Sequence, residues 1–328
     1  GVTRPADAVR TAVRGTLKSL PVGSLAAVAC SGGPDSVALA AASADVAGAA
    51  GVSCGAVVVD HGLQLDSGDV AAAAAQTCEN LGLAPVLTLQ VAVASDDGDG
   101  PEAAARKARY QGIEDACDRL GIGAVLLGHT LDDQAETVLM GLSRGSGTRS
   151  LAGMPKVRGR YHRPLLGLPR AVVRSAYPDL GGHQDAHNQD PRFLRARVRH
   201  ELLPALVAVL GPGVPAALAR SAELFRADAD AVQAWADQLT GQHTRVTEDG
   251  AAVEVGGLLA VPTAVLARVL RDASIAAGAD AGRLTRVHVS ALVALIDRWH
   301  GQGPVDLPGA VTAVRSSGRV VIARRLPT

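Results

Sequence analysis

Cysteine, aromatics and lysine are all scarce in this 328-residue chain. Four Cys stand at positions 30, 54, 78 and 117, and no two form a CxxC pair. That spacing argues against a disulfide framework and a zinc ribbon and suits a reducing compartment, so a cytoplasmic location is expected. Aromatics make up 2% of the residues, so bulky rings cannot dominate the core. Lys occurs only at 18, 107 and 156, which leaves almost all positive charge on Arg. No uninterrupted apolar run approaches about 18 residues, and the N-terminus lacks an h-region, so no membrane span or secretion signal is expected. Net charge is also missing: 32 basic side chains balance 32 acidic ones, which excludes a uniformly basic nucleic-acid binder.

What is present is a chain 48% hydrophobic, much of it Ala. Such a composition excludes disorder and collagen-like repeats, and the length favours about two domains. In the first half, short apolar runs alternate with Ala-rich stretches of helical length. Strands are expected at Leu25–Cys30, Cys54–Val59, Pro85–Val91 and Gly123–Leu127, with a fifth near Tyr161–Leu166. Helices are expected at Asp35–Ala50, Ser67–Leu81, Pro101–Leu120, Leu131–Leu142 and Pro169–Ala176. This alternation predicts an α/β fold built on a parallel sheet with both faces covered. The Gly-rich segments Ser95–Gly100 and Ser143–Ser150 read as loops, and Asn188–Leu210 as a helix interrupted by Pro204.

Gly211-Pro212-Gly213 marks the expected domain boundary, giving domains 1–211 and 212–328. Beyond it, helices at Pro215–Leu239, Pro262–Ala277 and Thr285–His300 accompany a short strand at Ala251–Val255. Strand-like pieces follow at Val305–Leu307, Val311–Ser316 and Arg319–Ala323, the last two joined as a hairpin. A small α+β accessory domain is expected there.

The sharpest motif is Ser31-Gly32-Gly33-Pro34-Asp35-Ser36, directly after the first strand and opening the first helix. Glycines allow close backbone approach, the helix start offers unpaired N–H groups, and the two hydroxyls add donors. The set suits a phosphate chain, although no Walker-type Lys is present. Asp35 would repel phosphate unless a Mg²⁺ bridged them, which makes Asp35 the candidate metal ligand. A second constellation, Gly128 to Thr137, follows the fourth strand. His129, Asp133 and Glu136 share one helix face there, and their spacing also leaves a metal site open. Asp132 and Asp133 are alternatively capping charges. Asp60-His61 follows the second strand on the same crevice side, and Arg106 and Arg109 lie in a helix.

SGGPDS resembles the signature of the PP-loop ATP pyrophosphatase superfamily. Together with VDHGL, ARKARY, GHTLDDQAET, RPLL and HNQDPRFLRARVRHELLP, it resembles the bacterial tRNA(Ile)-lysidine synthetase family over about residues 25–210. The tail is similar to that family's small C-terminal domain more loosely. The resemblance implies a Rossmann-like PP-loop domain and a ligase that uses ATP with Mg²⁺, free L-lysine and the tRNA(Ile) bearing a CAU anticodon. ATP would adenylate the C2 carbonyl oxygen of the wobble cytidine, and the lysine ε-amine would then displace AMP. It further implies a catalytic face of Asp133, Glu136, His129 and Arg109; a carboxylate of that face can hold or deprotonate the incoming ammonium, and either Asp133, taken first, or Glu136 is the candidate base. ATP would lie on Ser31, Gly32, Gly33, Pro34, Asp35, Ser36, Asp60 and His61. A homodimer is compatible with this reading.

Charge distribution bears on the RNA independently. Residues 1–100 carry four basic against ten acidic side chains, while residues 156–200 carry ten Arg or Lys against three Asp. A local basic stretch is the footprint of phosphate contacts, and Arg192, Arg195, Arg197 and Arg199 are its candidate tRNA-binding residues. The alternative activities are a PP-loop tRNA thiolase, another PP-loop adenylating synthetase, or a nucleotide-sensing RNA-binding module without turnover. A thiolase would require reactive cysteines, and no CxxC exists to supply them.

Overall fold

A computed structural model describes residues 4–60, 67–90, 101–144, 147–183 and 190–324, with the side chains of 101–107 outside the description. The expected Ser95–Gly100 loop and His61 lie outside the described residues. The chain forms two compact units, Gly1–Phe225 and Arg226–Thr328.

The first unit runs α1 (Pro5–Leu17), β1 (Leu25–Cys30), α2 (Pro34–Val46), β2 (Ser53–Asp60), α3 (Ser67–Asn80), β3 (Val86–Gln90), α4 (Pro101–Leu120) and β4 (Ile122–Leu126). It continues through α5 (Leu131–Ser143), α6 (Thr148–Leu151), β5 (Val157–Arg158), β6 (Tyr161–His162), α7 (Arg170–Ser175), α8 (Leu194–Arg197) and α9 (Leu203–Leu210). Strand order is β3-β2-β1-β4-β6-β5, parallel throughout except for β5. Side chains alternate across this sheet as the pleat requires. Ala26, Val28 and Cys30 enter a core with Val9, Leu39 and Val173, while Ala27, Val57 and Val125 pack with Ile113 and Cys117. Because its side chains are small, α2 is buried nearly all round, and Ser43 donates back to the Leu39 carbonyl (2.8 Å).

The order places β2 and β3 on one side of β1, and β4 on the other. The crevice beyond the carboxyl ends of β1 and β4 is thus a topological switch point, the usual ligand position in open α/β sheets. Both sequence constellations follow these two strands.

Several expectations change. The fifth strand ends after His162, because Pro164 cannot donate to a ladder, and the hairpin partner β5 was not foreseen. The Ser143–Ser150 stretch contains one helical turn, α6, among its described residues. The helix from Leu194 is not broken at Pro204. A π-helical turn at Val198–Leu202 widens the backbone just before Pro204, which accommodates a residue with no N–H to give. Gly211 ends α9, so the expected boundary falls at a helix break, whereas the compact units divide inside the following helix, α10 (Val214–His243).

The second unit adds β7 (Thr244–Thr247), β8 (Gly250–Glu254), α11 (Thr263–Ala276), α12 (Arg286–Asp297), β9 (Val305–Leu307), β10 (Val311–Ser316) and β11 (Arg319–Arg324). These strands form one antiparallel sheet, β7-β8-β11-β10-β9, rather than an isolated hairpin. Leu266, Leu270, Leu292 and Leu295 of the two helices pack on Val253, Val311, Val320 and Ile322. Strand β7 escaped sequence reading because it is a polar, exposed edge strand without alternation.

Candidate active site

Within the Ser31–Ser36 loop, several hydrogen bonds are local. Gly32 takes φ +78°, a backbone region that side chains disfavour, whereas Gly33 has an ordinary φ of −70° and serves as the N-cap of α2. Ser36 pins the loop from within: its hydroxyl donates to the Gly33 carbonyl (2.8 Å) and accepts from the Ser31 N–H (3.2 Å). Pro34 occupies the first turn of α2, where its missing N–H costs nothing.

Across the switch point, Thr130 caps α5. Asp133 closes a capping box, its Oδ2 accepting from both the N–H and the hydroxyl of Thr130 (2.8 Å each). Asp132 instead accepts the backbone N–H of Arg170 (2.7 Å), tying the start of α7 to the start of α5. Glu136, one turn on, is fully buried.

A buried carboxylate must be paired, and three arginines converge on this one. Glu136 accepts from Arg170 (2.9 Å), Arg195 (3.2 Å) and Arg199 (2.8 and 2.9 Å). Asp133 Oδ1 accepts from Arg170 (3.0 Å) and Arg199 (2.9 Å). Burial pushes the Asp133 carboxyl up, but Arg170, the Thr130 N–H and Arg195 outweigh it and hold the group at about 2. Burial likewise opposes ionisation of Glu136, yet Arg199 and Arg170 keep its pKa below the usual range. Arg170 is itself held firmly protonated, since Asp133 and Glu136 outweigh the penalty of its burial. Arg174 grips Asp35 through two hydrogen bonds (3.0 and 3.2 Å), and Arg170 lies 3.8 Å from the same carboxylate.

These groups line one cleft of about 560 Å³, together with Ser31, Gly33, Pro34, Ser36, Arg109, His129, His183 and His200. The structure thus joins the Ser31–Ser36 loop to His129, Asp133 and Arg109 in one cavity. Glu136 lies behind, reached through its arginines. Asp60 ends β2 and is not among the lining residues. Of the four candidate RNA-binding arginines, Arg195 and Arg199 point into the cleft from successive turns. Arg192 precedes the helix, is exposed and pairs with Asp190 (2.6 Å), while Arg197 is exposed. Arg170, Arg174, His183 and His200 also line the cleft, and no motif in the sequence marks them as site residues. The i,i+4 spacing of Arg170 and Arg174 after RPLL was the available signal.

Among the described residues no cluster of three or more His, Cys, Asp or Glu is suited to holding a metal. A metal on His129, Asp133 and Glu136 is overturned by the guanidinium groups on both carboxylates. Asp35, at the loop, offers one carboxylate whose two oxygens accept from Arg174, so it could hold Mg²⁺ together with phosphate oxygens only once that pair opens. Among the described residues no single helix is long and apolar enough to cross a membrane.

Comparison with known proteins agrees with this geometry. Residues 9–206 match the family described as PP-loop domain, and residues 254–321 match the TilS substrate binding domain. The tRNA(Ile)-lysidine synthase of Thermobifida fusca is 50% identical over 325 residues, covering 98% of this chain and 99% of that protein. The tRNA(Ile)-lysidine synthase of Streptomyces coelicolor is 48% identical over 308 residues, covering 92% and 86%. Among solved structures, a U34-tRNA thiolase from Methanococcus maripaludis has a TM-score of 0.55 at 22% identity, covering 66% of this chain and 78% of that one. That likeness concerns the fold alone. A PP-loop domain, a TilS substrate binding domain and near full-length identity of about half to curated synthases place this chain in the tRNA(Ile)-lysidine synthase family of ATP-using ligases.

Proposed function

We propose that the chain joins free L-lysine to C2 of the wobble cytidine in the tRNA(Ile) with a CAU anticodon, in the cytoplasm. The observation that carries this reading is the pair Asp133 and Glu136, clamped by Arg170, Arg195 and Arg199 beside an anion-binding loop. The loop Ser31–Ser36 would hold the ATP phosphates with its backbone N–H groups and hydroxyls. Asp35 would hold Mg²⁺ with the phosphates once Arg174 lets go, the ion supplying charge neutralisation. Arg109, on the cleft wall, is placed to offset the charge of the cytidine adenylate. Asp133 is a poor proton acceptor with a pKa near 2 and both oxygens occupied. We therefore assign the base role to His129 rather than Asp133, because it lines the same cleft and its imidazole is a side chain able to accept a proton. Asp133 and Glu136 would hold the arginines in place and attract the incoming ammonium.

Cysteine placement does not favour a thiolase: Cys30, Cys54, Cys78 and Cys117 are all buried thiols. The decisive measurement is AMP release from ATP with tRNA and lysine supplied together or singly. AMP formation that requires both, and fails when arginine replaces lysine, is the expected result. AMP release without lysine incorporation, or with arginine equally, would sink the reading.

The exposed Arg197 is proposed as a phosphate contact rather than a cleft residue. Arg197→Ala is expected to weaken tRNA binding and to flatten the slope of log affinity against log salt by about 1, the mark of one lost phosphate contact. Filter binding over a salt series checks this, and an unchanged slope would remove Arg197 from the interface.

A further inference from the structure

The nucleotide loop is not held by its neighbours in sequence alone. The segment Gly181–His183 crosses it from about 150 residues further along the chain. The His183 N–H donates to the Gly32 carbonyl (2.8 Å). Gly182 takes φ +152° and lies so close to Pro34 that a Cβ there would sit 2.7 Å from the proline Cα and N. The His183 carbonyl passes Gly33 at the distance of ordinary contact, 3.9 Å from where a Cβ would stand.

We propose that Gly182 and His183 are positioning residues for the ATP site, acting through the Gly32–Gly33 peptide. The physical reason is the geometry of a trans peptide, whose carbonyl and following N–H point in opposite directions. By holding the Gly32 carbonyl, His183 turns the Gly33 N–H the other way. Gly32 at positive φ has no side chain to resist a peptide flip, so without this bond its carbonyl is free to turn toward the phosphate oxygens and repel them. The strap thus sets which face of the loop is a donor face. The role of Gly182 is to let the strap lie close enough, since any side chain would lift it off Pro34. This inference rests on the reading that the Ser31–Ser36 loop holds the ATP phosphates.

The test uses the full chain and a non-hydrolysable ATP analogue in which methylene bridges the α and β phosphates. His183→Pro removes the backbone donor, His183→Ala keeps it and removes the imidazole, and Gly182→Ala adds the obstructing Cβ. Calorimetry is expected to show analogue affinity weakened about tenfold by His183→Pro and Gly182→Ala, the scale of one lost hydrogen bond, and much less by His183→Ala. In turnover the ATP KM should rise while kcat at saturating ATP stays within about twofold, a split that general destabilisation does not produce. tRNA affinity and thermal midpoint report whether each variant is folded, and Gly182→Ala carries the test if His183→Pro does not fold. Equal losses in His183→Pro and His183→Ala, or normal analogue binding by Gly182→Ala, would overturn the proposal. Ser36→Ala separates it from the reading beneath: if that variant also binds normally, the loop is not the nucleotide site. If Ser36→Ala weakens binding and the strap variants do not, only the strap falls.

Discussion

Glu136→Gln is expected to lower lysidine formation by about 100-fold, the scale set by removing one preorganised charged group from an active site. Glu136 is fully buried and binds three guanidinium groups, so neutralising it leaves those groups facing an amide that offers them no charge. Glu136→Ala goes further, and removing one member of such a buried network costs on the order of 3–5 kcal/mol of stability. Thermal or denaturant unfolding measures that loss, and single-turnover kinetics with tRNA and lysine measures the rate. A combined Glu136→Gln, Arg199→Met variant is expected to recover much of the stability, because the buried charges leave together. Activity should not return with it. Recovery of both would mean that the cluster only fills space.

Arg170→Ala carries the second large effect. Arg170 sits where three carboxylates meet, bonding Asp133 and Glu136 and lying 3.8 Å from Asp35. Lysine cannot replace it, because one ammonium cannot hold the geometry that the planar fork spans. Arg170→Lys is therefore expected to keep the fold and still lose about tenfold or more in rate, with Arg170→Ala nearer 100-fold.

The same substitution has a signature in acid. Asp133 ionises at about 2 in the folded chain, below its ordinary value of 3.8, and Arg170 is the largest favourable influence on it. A depressed carboxylate contributes stability that is present above the unfolded pKa and disappears as pH falls through the folded one. For Asp133 that contribution is about 2 kcal/mol, complete near pH 5 and lost toward pH 2. Arg170→Ala should raise the Asp133 pKa and shrink this pH-dependent part. Unfolding free energies of wild type and variant would then differ most near pH 5 and converge toward pH 2. A difference that stays constant across that range would show that Arg170 does not act on Asp133.

Much of this arrangement was legible in the chain. β1, α4, β9 and β10 begin and end where hydrophobic run and punctuation place them. The parallel sheet follows from apolar runs with no polar face, which only a sheet covered on both sides can bury. Helix-face spacing brought Asp133 and Glu136 together on α5, whereas His129 precedes the N-cap Thr130 and lines the cleft with Asp133 from outside the helix; the strand-to-helix setting identified the Ser31–Ser36 loop. Polar pieces without a period were not legible: β5 and β7 are short or exposed, and nothing in them distinguishes strand from loop.

The chemistry of the charged groups was legible only in part. The excess of Arg over residues 156–200 was visible in the sequence. Whether a given arginine faces solvent or a buried carboxylate depends on contacts between residues 34 to 66 positions apart. Arg195 and Arg199 enter the cleft from successive turns, while the exposed Arg197 between them stays outside. The chain alone therefore determined the two-unit α/β organisation, the glycine-rich Ser31–Ser36 turn and the acidic face, all of which rest on local periodicity and helix-start chemistry. Tertiary structure decided which arginines neutralise that face, that they hold the Asp133 carboxyl well below the usual range, and that Gly182 and His183 lie over the loop. Each depends on a long-range approach that no local pattern encodes.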